Sequence, residues 1–172
     1  TTDAIKIVEE SQPDAIIHCA AVADIREAQK SPSLTQRMNV DVPGIIATTA
    51  FNRGIPLIHI SSDAVFDGTK GDYIENDPPN PLSVYAHSKL AGERIVQKSN
   101  PNALVARVVF YGWSLSGNRS LSEFFYNHLK DGKPVKGFID TYFSPLYVED
   151  LGEILLEMLG KELKGLYHVV SP

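Results

Sequence analysis

The period of apolar and polar positions alternates along the chain between helical spacing and short unbroken apolar runs. From Thr1 to Glu10, Ala4, Ile5, Ile7 and Val8 lie among charges at helical spacing, and Gln12-Pro13-Asp14 ends the stretch. Ala15-Ile16-Ile17-His18 then runs apolar without alternation, the pattern of a strand buried on both faces of a parallel sheet. Cys19 to Ala23 reads as a loop of small residues. Ser33 to Asn52 predicts a helix, interrupted at Pro43-Gly44 and closed by Arg53-Gly54 as a C-cap signal. Leu57 to Ile60 predicts a second buried strand. A polar, proline-rich loop follows from Asp63 to Asn80, with turn signals at Asp67-Gly68 and Pro78-Pro79. A helix containing Tyr85 runs to about Lys98, and Ala103 to Val109 predicts the third strand.

Helix, strand, helix, strand, helix, strand is the signature of βαβ units around a parallel sheet with right-handed crossovers. After Tyr111-Gly112-Trp113 the pattern changes. A polar loop spans Ser114 to Ser120, an amphipathic helix Leu121 to Leu129, and a turn Asp131-Gly132-Lys133-Pro134. Val135 to Ile139 predicts a short strand, Val148 to Leu159 a helix, and Tyr167 to Val170 a last strand. The expected class is α/β, with a doubly wound parallel sheet. No Gly-x-Gly-x-x-Gly turn occurs in the chain. A three-stranded parallel sheet would also leave one strand edge bare. The expectation is therefore a dinucleotide-type fold whose Gly-rich N-terminal half is absent and whose C-terminal part is incomplete.

The bulk composition narrows the partners. The 172 residues are 43% hydrophobic and 22% charged, enough to bury a core. A net charge of -5 without a basic stripe argues against nucleic acid. The single cysteine, Cys19, forms no internal disulfide, and no apolar run is long enough to span a bilayer. A cytoplasmic protein with no membrane partner is expected. His18, His59, His87 and Cys19 show no ligand spacing, so no metal site is predicted. His59 is read as packing within its strand.

Candidate chemistry concentrates between Ile58 and Arg94. Tyr85 and Lys89 stand four apart on one helix face, downstream of Ser61 and Ser62 at a strand end. A free tyrosine has a pKa near 10, and an ammonium one turn away is expected to draw it down towards the working range of a general acid. A serine hydroxyl at the strand end could bind the same substrate oxygen. Ligands of open α/β sheets bind outside the carboxyl ends of the strands, where Ala20 and Ala21 would let a flat cofactor approach the backbone. The spacing alone is weak, since Tyr126 and Lys130 repeat it in a helix whose aromatic face is read as core. Pro43 deprives the Asn39 carbonyl of its helical donor. Two readings follow: a helix simply beginning at Pro43, or a kink that frees Asn39 for a water near Lys89.

Ile60-Ser61-Ser62-Asp63-Ala64-Val65-Phe66-Asp67-Gly68 and Pro81-Leu82-Ser83-Val84-Tyr85-Ala86-His87-Ser88-Lys89-Leu90-Ala91-Gly92-Glu93 together resemble the extended short-chain dehydrogenase/reductases. The Val65 to Gly68 loop and the Ser88 to Glu93 continuation narrow the resemblance to the dTDP-4-dehydrorhamnose reductase group. The resemblance implies a Rossmann-like fold, with residues 1–113 as the C-terminal half of an NAD(P)-binding domain and 114–172 as mostly substrate-binding segment. It implies hydride transfer from NADPH or NADH to the carbonyl of a nucleotide-activated keto-deoxysugar. Tyr85 would be the proton donor, Lys89 would bind the nicotinamide ribose, and Ser62 would complete the catalytic set. Ala20, Ala21 and Ser61, with Tyr85 and Lys89, would line the NADP or NAD site. A homodimer stays open as a partner, and the 172-residue piece alone is expected to be inactive and to bind NADPH poorly. Two departures stand out: Arg107 to Gly112 is a residue shorter than the family often has, and Leu146 replaces a common threonine. The alternatives are a regulatory subunit like the beta subunit of methionine adenosyltransferase, which shares these motifs, and a sugar-nucleotide epimerase or dehydratase of the same superfamily.

Overall fold

The computed structural model describes residues 2–118 and 120–171; Thr1 and Pro172, at the ends of the predicted first helix and of the chain, lie outside them. The first helix, α1, covers Thr2–Ser11 and leads into strand β1, Ile16–His18. A helix absent from the periodicity reading comes next, α2, Ile25–Lys30, and α3, Pro32–Gln36, then opens the predicted long helix a residue early. The Asp24 carboxylate starts α2 by accepting from the amides of Arg26 and Glu27 at 2.7 and 2.9 Å. At six residues, α2 is too short to show a period.

From α3 the chain stays helical through a wide turn at Arg37–Asp41 into α4, Val42–Arg53. The predicted interruption at Pro43-Gly44 does not occur there. It is moved upstream: the Val42 amide donates to the Arg37 carbonyl five residues back, a π-type turn. Pro43 then falls in the first turn of α4, where a missing N–H does least harm. Gly44 serves packing, since a Cβ there would lie 2.8 Å from Ile95 on the neighbouring helix. Gly54 closes α4 with φ of 65°, as the C-cap signal predicts.

Strand β2, Leu57–Ser62, passes through a short 3-10 turn and the 66–80 loop to α5, Val84–Ser99, and then β3, Leu104–Val108. After the two-residue strand β4, Phe110–Tyr111, come α6, Leu121–Lys130; β5, Leu146–Tyr147; α7, Val148–Gly160; and β6, Gly165–Val169. The main sheet runs β1-β2-β3-β6 and every pairing in it is parallel, with Ile58 opposite Leu104 and Ser62 opposite Val108. Side chains alternate across it. Ile58, Leu104, Ala106 and Val108 pack with Leu151, Leu155 and Met158 of α7. Leu57 and Val105 pack on the other face with Ala47, Ala50 and Val96 of α4 and α5. The result is an α/β fold with helices on both faces of a parallel sheet, which explains the unbroken apolar runs.

Two expectations fail in the C-terminal part. Val135 to Ile139 is not a strand; Phe138 and Ile139 are 87% and 93% exposed. Pro134 and Gly137 remove a donor and weaken the extended state, and no strand among the described residues pairs with the run. The aromatic face of α6 is not core either. Phe124, Tyr126 and Leu129 are exposed, while Glu123 is the buried side chain, closing a capping box with Ser120.

Candidate active site

β2 ends in two serines, and alternation sends them opposite ways. Ser61 points towards α5 and is buried, its hydroxyl donating to Glu93 Oε1 at 2.5 Å. Ser62 points to the other side, half-buried, where its Oγ donates to Asp63 Oδ1 at 3.0 Å and stands beside the Tyr85 phenol. Of the two serines expected at the site, the fold brings only the Ser62 side chain to Tyr85. A cofactor contact from Ser61 is left to its backbone.

Tyr85 and Lys89 are placed by the start of α5. The Ser83 hydroxyl caps the helix by accepting from the Ala86 amide at 3.1 Å, after a proline-rich approach that cannot itself be helical. Tyr85 is thus in the first turn and Lys89 one turn on. Lys89 is 4% exposed, and its Nζ donates to the Ile60 carbonyl of β2 at 2.7 Å. Burial lowers the Lys89 pKa to about 8, with the Glu93 carboxylate opposing. The expected lowering of Tyr85 is reversed. Burial and the Asp63 carboxylate raise its phenol above the ordinary value and outweigh Ser62, while Lys89 is anchored on a backbone oxygen and does not offset them.

Beneath these residues lies a buried ion pair. Arg107 Nε and Nη2 donate to Glu93 Oε1 and Oε2 at 2.9 and 2.8 Å, with both side chains under 5% exposed. The guanidinium lies 4.9 Å from the centre of the Phe66 ring. Phe66 stacks on Tyr73 at 4.2 Å, and Tyr73 donates to Asp67 at 2.6 Å. The Asp67 carboxylate also accepts from Thr69 and Asn80, which holds it well below the usual carboxylate range. The His168 amide on β6 donates to the Glu75 carboxylate and the His168 ring meets the Tyr73 carbonyl, which ties this loop to the sheet. The pairing of Glu93 with Arg107 escaped the sequence reading. The signal was present: an arginine inside the apolar run Leu104 to Val108 requires a buried partner.

Asn39, in the wide turn, joins the loop after β1 to α5. Its Oδ1 accepts from the Val22 amide at 2.8 Å, and its Nδ2 donates to the Val22 carbonyl at 3.1 Å and to Ser88 Oγ at 2.9 Å. The carbonyl that Pro43 leaves without a donor is the group the kink reading concerned, and the side chain is not offered to a water near Lys89. It fixes the loop carrying Ala20 and Ala21 instead, and Ala20 remains exposed at the sheet's carboxyl edge.

The family model described as the RmlD substrate binding domain matches residues 1–172. The chain belongs to that family. It is 34% identical over 176 residues to the probable low-salt glycan biosynthesis reductase Agl14 of Haloferax volcanii, covering 99% of this chain and 58% of that protein. It is 44% identical over 170 residues to methionine adenosyltransferase 2 subunit beta of Bos taurus, covering 94% of this chain and 51% of that one. The crystal structure of dTDP-4-dehydrorhamnose reductase from Bacillus anthracis in complex with NADP superposes with a TM-score of 0.91 at 28% identity, over 99% of this chain and 60% of the other. The chain thus spans between half and three fifths of these relatives.

In this RmlD-family chain the second Tyr-Lys pair stays apart from the site. Lys130 Nζ lies 5.8 Å from the centre of the Tyr126 ring, and Tyr126 packs edge-on against Trp113 on the outer face of α6. No cluster of metal-ligating side chains occurs among the described residues, and no described helix is long and apolar enough to cross a membrane. α5 reaches the wide turn at Arg37–Asp41 closely because residue 92 is glycine. A Cβ there would collide with the Asn39 carbonyl oxygen, a backbone atom that cannot swing aside. Gly92→Ala is expected to destabilise the protein by about 1–3 kcal/mol, the usual range for overpacking; a denaturant midpoint unchanged from the parent would refute that.

Proposed function

We propose that this chain carries the catalytic part of an NAD(P)-dependent reductase of a nucleotide-activated keto-deoxysugar, acting in the cytoplasm. The observation that carries the reading is the convergence of Ser62, Tyr85 and Lys89 at the carboxyl edge of β2, beside the small residues Ala20 and Ala21. Residues 1–113 form the C-terminal half of the dinucleotide-binding domain in this reading, and 114–172 mostly bind substrate.

The residues fit a dinucleotide. Ala20 and Ala21 carry no side-chain atoms beyond Cβ, so a flat ring can approach the loop after β1, and Asn39 holds that loop in place. Lys89 keeps donors beyond the one given to Ile60 and would use them on the nicotinamide ribose. The dinucleotide, when bound, supplies the hydride. Tyr85, kept protonated by its raised pKa, donates its proton to the substrate oxygen, and Ser62 orients that oxygen.

A second reading has one observation in its favour, the 44% identity to a methionine adenosyltransferase subunit. In that reading the same residues hold a cofactor and the chain serves a partner enzyme. Full-length protein mixed with NADPH and a panel of 4-keto sugar nucleotides decides between them. Loss of nicotinamide absorbance with at least one sugar is expected; tight NADPH binding with no turnover on any of them establishes the second reading.

A further inference from the structure

His18 and His59 are buried titratable groups that the reaction above does not use. They sit opposite each other in the register of β1 and β2, on the face where Gly92 of α5 packs against the His59 ring. Their rings stack with centroids 5.4 Å apart and an 18° tilt, and their Nδ1 atoms are 3.3 Å apart. His59 is 1% exposed and His18 7%, and among the described residues neither Nε2 has a hydrogen-bond partner. β1 is the shortest strand of the main sheet, three residues with three register partners on β2.

The contact holds only while both rings are neutral. A neutral imidazole carries one N–H, so one Nδ1 donates across the gap and the other accepts. A proton added to the accepting ring sets N–H against N–H and ends the bond. A proton added to the donating ring keeps the bond but places a cation, with an unpartnered N–H, in the buried layer. The groups that face the pair oppose either cation. Lys89 on α5 is itself an ammonium and acts on both rings. Glu93, one turn further along α5, is spent on Arg107 of β3 and on Ser61. The wide turn before α4 brings Asn39, whose side chain is spent on Val22 and Ser88. After β1, burial pushes the Cys19 thiol up, so it offers no negative charge.

Burial first, and Lys89 second, hold His18 down to about 4 and His59 to about 2, below the ordinary 6.5. An opened ring takes its proton near 6.5, so opening binds protons that the closed pair refuses. Closure is at full strength above 6.5 and weakens as pH falls through the window from 6.5 to about 4. Lys89 completes its own change above that window, between 10.5 and about 8. Carboxylates held low by their bonds, Asp67 and Asp77 among them, lose their contribution only from the ordinary carboxylate range downwards.

We propose that the His18–His59 pair is an acid-sensitive joint: a proton taken up by either ring undoes the stack and loosens β1, with the Ala20-Ala21 loop that follows it, from β2 and α5. The rest of the sheet, held by the β2–β3 and β3–β6 pairings and by α7, keeps its packing. The inference borrows nothing from the reductase reading, since none of its readouts uses a substrate or a dinucleotide.

Amide hydrogen exchange on the full-length protein, corrected for its intrinsic pH dependence, tests the joint. The Ile16 and Val22 amides, which donate to the Pro56 carbonyl and the Asn39 side chain, report on β1 and its loop. Between pH 6.5 and about 5 their protection is expected to fall about tenfold per pH unit for each proton taken up, while β3 and β6 amides keep theirs. No loss, or an equal loss across the whole sheet, overturns the proposal. His18→Gln and His59→Gln each leave one titrating ring and should each remove one of those tenfold steps. The double variant should be flat across the window; acid sensitivity equal to the parent's overturns the proposal. Should the glutamine variants fail to fold, imidazole ¹⁵N spectra of the unaltered protein decide. Both rings are expected to stay neutral in the closed form at about pH 5, and a cationic ring there overturns the joint.

Discussion

Tyr85→Phe is expected to lower turnover of the keto-sugar by about 10²–10⁴-fold, the range that general acid catalysis supplies. Dinucleotide affinity and the melting temperature should stay close to those of the parent, because the phenol ring and its packing are kept. The expectation follows from the state of the hydroxyl. A group that donates a proton must hold it at working pH, and burial with Asp63 keeps the Tyr85 phenol protonated well past neutrality. The sign for pH follows: an essential acid loses function as pH rises through its pKa, so turnover should be flat on the Tyr85 side from neutral pH to about 9, with its loss above the ordinary phenol value near 10. A variant that turns over within tenfold of the parent would remove Tyr85 from the proton-donor role, and a falling limb near pH 7 that vanishes in Tyr85→Phe would contradict the raised pKa.

The parts of the fold legible in the sequence are those where one periodicity dominates. Ile16-Ile17, Leu57 to Ile60 and Leu104 to Ala106 announce strands because both faces are covered, by α7 on one side and by α4 and α5 on the other. Elements set by a single contact were not legible. β4 and β5 are two residues each, and their pairing depends on the Leu146 amide reaching the Val109 carbonyl at 2.9 Å. The wide turn before Pro43 was visible as a disturbance but displaced by a few residues, since the proline dictates only where a donor is missing. At Val135 to Ile139 apolar composition suggested a strand that, among the described residues, has no strand to pair with.

The site divides in the same way. The order of strand end, serines, turn and Tyr-Lys helix put Ser62, Tyr85 and Lys89 together from sequence. That Ser61 turns away follows from strand alternation and could have been read from it. What lies beneath could not be located by local pattern: Glu93 and Arg107 are 14 residues apart and meet only where α5 packs on β3, while His18 and His59 are 41 apart and are joined by parallel register. A charge or imidazole in an apolar run signals that a partner exists without saying which.

Glu93→Ala is expected to cost about 3–5 kcal/mol, the range for removing one member of a buried ion pair. For a chain of this size that is a fall of roughly 6–20 °C in melting temperature. The cost comes mostly from what is left behind. Arg107 would keep its charge in a site 4% exposed, facing Phe66 and His168, and Ser61 would lose the acceptor of its hydroxyl. Removing both charges is a different experiment. Glu93→Leu with Arg107→Met exchanges the pair for apolar side chains of similar length, and such exchanges are often neutral or stabilising. The two single variants and the double form a cycle, measured by thermal unfolding, in which the double should be markedly more stable than either single. If the double is as unstable as the sum of the singles, the pair is not coupled as its two short bonds imply. Lys89 gives a second readout of the same cycle. Glu93 is the larger of the two groups, with Cys19, that oppose the lowering of its pKa, so loss of that carboxylate should take the ammonium below about 8, whereas loss of Arg107 alone should not. The stability of the ion pair and the protonation of Lys89, the group proposed to hold the cofactor, are thus tied through one buried carboxylate.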